Sequence, residues 1–78
     1  MTMNSQDLID FLRNELHVAE PIDPGTPLFS TGLLDSVAML SVIGFVEECA
    51  RIEVSAADVT LENFDTPERI TSYVGARR

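Results

Sequence analysis

The chain has 78 residues, 13 of them acidic against 5 basic, for a net charge of −8. That length allows one domain, 1–78, with a single thin core and no room for a second lobe or an enclosed enzyme cleft. The acidic excess argues against a nucleic-acid partner, whose phosphates need the opposite sign; it suits basic protein partners and equally serves solubility.

Cys49 is the only cysteine, so no disulfide supports the fold and stability must come from helix packing. No apolar run approaches the length of a membrane span. The start, MTMNSQDLID, lacks the basic and apolar regions of a secretory signal. A free cysteine without a signal leads to the expectation of a cytoplasmic protein.

The first helix is predicted over about Ser5 to Leu16, where Leu8, Phe11, Leu12 and Leu16 form one apolar stripe. Asn4 is the candidate N-cap, and Asp7 complements the helix start. His17 lies just past the end, where a cationic imidazole would favour the helix dipole. A lone histidine with no Cys or His cluster gives no transition-metal site.

Residues 17 to 35 are broken by Pro21, Pro24, Gly25, Pro27 and Gly32 and form a long loop. Ile22, Leu28, Phe29, Leu33 and Leu34 should anchor it to the core, unlike a flexible linker.

The second helix is predicted over about 36–51, with Met39, Val42, Ile43, Val46, Cys49 and Ala50 on its inner face. On that stripe Cys49 reads as a small core residue rather than a nucleophile. The opposite face carries Val37, Leu40, Ser41, Gly44, Glu47 and Glu48. Gly44 costs about 1 kcal/mol against Ala in mid-helix; it either admits a closely approaching surface or is simply tolerated there. Glu47 and Glu48, adjacent on a helix, splay apart and form no acid/base pair.

Ser55 and Thr60 can each cap a short turn, the second giving a short helix over about 60–64 with Phe64 in the core. A last helix over about 67–75 starts with Thr66 as N-cap, Pro67 at its first position and Glu68 on the positive end. Ile70, Tyr73 and Val74 face inward, Gly75 ends the pattern, and Arg77 and Arg78 form a solvated tail. The fold class is all-α: a small bundle of three main helices plus one short helix, with a long anchored loop between the first two. Phe11, Phe29, Phe45 and Phe64 are candidates to fill the interior.

Catalytic motifs are missing. There is no nucleophile–His–acid set with elements to position it, no phosphate-binding glycine loop and no calcium-loop spacing, so no catalytic residue is assigned and the chain is not expected to be an enzyme. The stretch GLLDSVAML, Gly32 to Leu40, stands apart. It brings a loop to a helix start with Asp35 and Ser36 at the first positions. Ordinary capping explains an Asp-Ser pair there. A phosphodiester on Ser36 would also lie where unpaired N–H groups and the positive helix end favour an anion.

With GLLDS, the apolar helix ending FVEE, the IEV segment and ENFDTPERI in this order, the chain resembles the acyl carrier protein superfamily over nearly its whole length. The resemblance implies that Ser36 is esterified by 4′-phosphopantetheine, donated from coenzyme A by a phosphopantetheinyl transferase, with Asp35 as its motif neighbour. It implies docking of partner enzymes on the second helix, through Val37, Leu40, Ser41, Gly44, Glu47 and Glu48. Fatty-acid carriers usually have acids in the first half of that helix; here Val37 to Ser41 has none. The run is more similar to discrete carriers of an aminoacyl or small acyl group, loaded by an adenylating ligase or an acyltransferase and serving a downstream synthase or transferase in specialised biosynthesis. Such a carrier is expected to be a monomer that meets its enzymes by diffusion. The alternatives are a carrier of fatty-acid or polyketide synthesis, and an unmodified acidic helical interaction module.

Overall fold

Helix order follows the apolar periodicity of the sequence. The computed structural model describes residues 3–77. Its helices are α1 (Ser5–Asn14), α2 (Ser36–Ala50), the short α3 (Leu61–Phe64) and α4 (Pro67–Arg77), with a 3₁₀ turn at Ala56–Asp58 before α3. The architecture is therefore three main helices and one short one, with no strand among the described residues. Its shortest dimension is 20 Å, about two helix diameters, so one apolar layer is all that can be buried.

Each start has its cap. Asn4 Oδ1 accepts from the Asp7 N–H at 2.8 Å and Asp7 Oδ2 accepts from the Asn4 N–H at 3.1 Å, a reciprocal capping box. Asp35 caps α2, Ser55 the 3₁₀ turn, Thr60 α3, and Thr66 Oγ1 accepts from the Arg69 N–H at 3.0 Å at the head of α4.

Leu8 and Leu12 of α1, Val42 and Val46 of α2, Phe64, and Ile70 and Val74 of α4 are fully enclosed together with Leu28 of the loop. α4 packs on both α1 and α3. Ile22 and Leu34 are buried as well, so the long loop is anchored at three points, with Phe29 and Leu33 half-buried between them.

Several expectations change. α1 stops at Asn14 rather than Leu16, because the chain turns through a left-handed His17 (φ 55°) and the Val18 N–H reaches back to the Leu12 carbonyl. α4 continues through Gly75 to Arg77; glycine there is a costly helical residue but not a stop. Arg77 is tied down, its guanidinium donating to the Glu53 carbonyl at 2.7 Å, while Arg78 lies outside the described residues. Cys49 is exposed. It lies seven residues on from Val42, at the edge of a stripe whose buried members, Val42, Val46 and Ala50, step by four. Of the four phenylalanines only Phe64 fills the interior. Phe11 and Phe45 are half-buried and stack across α1 and α2 with ring centroids 4.2 Å apart.

Candidate functional site

Ser36 is the first residue of α2 and is exposed. The preceding Asp35 is extended (φ −103°, ψ −174°), and its Oδ1 accepts the Ala38 N–H at 2.9 Å. The N–H groups of the first turn have no intrahelical partner, so the helix start faces solvent with partial positive charge beside the Ser36 hydroxyl. Before it, Gly32 has φ +80°, a conformation that an L side chain rarely adopts, which is why glycine opens GLLDS.

This corner is held from across the molecule. The Leu34 N–H donates to the Leu28 carbonyl at 2.8 Å, and Leu28 is in turn bonded to the Asp65 carbonyl. The Asp65 side chain, only 6% exposed, accepts three further bonds: from the N–H groups of Phe29 and Ser30 at 2.9 Å each, and from the Ser30 hydroxyl at 2.7 Å. Burial alone would raise the Asp65 carboxyl, but the bonds from Ser30, Phe29 and Leu28 outweigh it and hold it below its ordinary value. The Glu68 N–H donates to the Pro24 carbonyl at 2.9 Å. The junction of α3 and α4 thus pins the loop that delivers Ser36.

Beside Ser36 lies an open groove of about 430 Å³. It is lined by the chain leaving α1, Leu16 to Val18 with Glu20, by Gly32 to Leu34, and by Asp35, Val37, Ala38 and Ser41 at the start of α2. Sequence reading missed this groove. It exists only because the two ends of the loop come together against one flank of α2.

The residues assigned to docking do not behave alike. Val37 and Leu40 stand out, 69% and 70% exposed. Ser41, Gly44 and Glu48 are exposed on the same side, and a Cβ on Gly44 would meet nothing within 4 Å. Val37 and Ser41 also line the groove. Glu47 is half-buried, and its Oε2 accepts the Val54 N–H at 2.9 Å. It therefore braces the chain that returns beyond the left-handed Arg51 (φ 57°), and Glu48 is the free acid of the pair.

No group of three or more His, Cys, Asp or Glu side chains is placed to hold a metal among the described residues, and no helix there is long and apolar enough to cross a membrane. Neither protein-family models nor curated proteins give a match to this chain. The site is read from its own geometry: an exposed serine at a helix start, large apolar side chains in water beside it, and a groove at its flank.

Proposed function

We propose that this chain is a carrier domain that bears 4′-phosphopantetheine on Ser36 and delivers an aminoacyl or small acyl thioester to partner enzymes, in the manner of discrete carriers of specialised biosynthesis. The observation that carries the reading is the placement of Ser36. It is exposed at the first position of α2, on a loop hydrogen-bonded through Leu34, Leu28 and Asp65, with Val37 and Leu40 exposed beside it. A structural capping residue is already supplied by Asp35, so capping does not account for Ser36.

In the modification, the Ser36 oxygen bonds to the phosphorus that carries the pantetheine of coenzyme A. The pyrophosphate P–O bond breaks, adenosine 3′,5′-bisphosphate leaves, and the hydroxyl proton passes to a base of the phosphopantetheinyl transferase. The new phosphodiester then sits against the positive end of α2. The carrier contributes position and recognition only. Cargo joins the arm's thiol through an adenylating ligase or an acyltransferase and leaves through a downstream synthase or transferase.

The first turn of α2 holds no acidic residue. That supports partners that read an apolar patch, and it disfavours enzymes that read acids at this place. Digestion with trypsin after treatment with coenzyme A and a transferase tests the reading. The pantetheine mass should appear on the peptide 14–51 and be lost from it in Ser36→Ala. Addition to another peptide, or none on a folded chain, overturns it.

A further inference from the structure

We infer that the groove beside Ser36 is a binding site for the loaded arm, which turns back into it and places a free cargo ammonium against Glu20. The inference rests on the carrier reading and adds to it a chemical class: cargo with a positive charge, of which an α-aminoacyl group is the simplest.

Position comes first. Asp35 and Val37, the two neighbours of Ser36, both line the groove, so a chain attached to Ser36 starts at its rim. The arm is a flexible run of single bonds that can fold back, and a tethered group faces its site at an effective concentration in the millimolar range. Weak contacts therefore suffice to fill it.

Size and lining agree. About 430 Å³ falls within the ~300–1,000 Å³ of small-molecule sites. Leu16, Val18, Leu33, Val37 and Ala38 offer apolar contact to the branched methyl groups of the pantoyl unit. His17 and Ser41 offer hydrogen bonds to amides.

Charge selects the cargo. The lining carries two carboxylates, Glu20 and Asp35, against one imidazole, His17. Asp35 adjoins Ser36 and its phosphodiester, so the exposed Glu20 is the acid left for a cation carried at the far end of the arm. A negative groove keeps the phosphate at its mouth, on the N-terminal end of α2, and favours an ammonium at the far end of the arm. The geometry also divides the helix. The arm takes the flank of Val37, Ala38 and Ser41, and Leu40, Gly44 and Glu48 remain open to a protein partner.

The test compares two non-hydrolysable cargoes of equal shape, alanyl and isobutyryl, each amide-linked to the arm and installed on Ser36 from the matching coenzyme A analogue. Intact mass first certifies the arm. Amide and methyl signals of Val18, Leu33, Val37 and Ala38 are then compared with the arm-free chain. The alanyl form should shift them at least twofold more than the isobutyryl form, and Glu20→Gln should bring the two forms to the same value. Equal shifts for both cargoes in the unaltered chain, or none for either, overturn the inference and leave the carrier reading standing. Failure of a folded chain to accept the arm overturns both.

Discussion

Asp65 and Ser30 are joined by two hydrogen bonds across 35 residues of chain: the carboxylate accepts the Ser30 hydroxyl at 2.7 Å and the Ser30 N–H at 2.9 Å. With the Phe29 N–H on the same oxygen, they make a buried anion the brace of the loop that positions Ser36.

Replacing that anion should therefore be costly. Asp65→Asn should lower stability by about 2–3 kcal/mol at neutral pH, because bonds to a charged acceptor are weakened in a buried site. The pH dependence has a definite sign. The folded Asp65 carboxyl lies below its ordinary 3.8, so its contribution is complete above that value and is lost as pH falls through the folded one. Urea midpoints of the two proteins, taken between about pH 7 and pH 3, should converge toward the acid end. A gap that stays constant would contradict the role given to the charge.

Glu47 and Glu48 should separate cleanly on mutation. Glu47→Ala removes the acceptor of the half-buried Val54 N–H and should cost about 1–2 kcal/mol, visible in a thermal melt. Glu48→Lys should leave the melt nearly unchanged, slow association with a loading enzyme and reduce the salt dependence of that rate. The reverse pattern would mean that their roles have been exchanged.

These two glutamates also show where the sequence is legible and where it is not. Periodicity and capping chemistry are local, so the helices and the caps at Asn4, Asp35, Ser55, Thr60 and Thr66 could be read directly. The Glu47 bond depends on a left-handed Arg51 that returns Val54 to the helix, and nothing in the residue types announces it. Asp65 was hidden for the same reason. It stands in a stretch that reads as the approach to a helix, while its partners lie 35 and 36 residues earlier. Cys49 keeps an inward spacing from Val42 but falls at the edge of the buried row Val42, Val46 and Ala50, because spacing gives the direction of a face and not how wide its cover is. The groove is a product of loop closure, and only its α2 wall follows from helical spacing.

Gly44 offers a gain in one property against a loss in another. A methyl group there meets nothing within the chain, so Gly44→Ala should raise stability by about 0.5–1 kcal/mol through helix propensity. If a partner packs closely on this face, the same variant should slow transfer of cargo. Urea unfolding and a single-turnover loading assay check both. Stabilisation with unchanged transfer would remove Gly44 from the docking face.

Val37 and Leu40 are largely in water, so charging them should not disturb the core. Val37→Asp and Leu40→Asp should each change stability by less than about 0.5 kcal/mol and weaken transfer to and from partner enzymes. Wild-type transfer by both would place docking on another surface.

The most direct measurement is the intact mass of the folded protein and of Ser36→Ala after exposure to coenzyme A and a broad-specificity phosphopantetheinyl transferase. The account predicts that the wild-type chain gains one phosphopantetheine and the variant gains none. A folded wild-type chain that stays unmodified, or a variant that still gains the group, would contradict it.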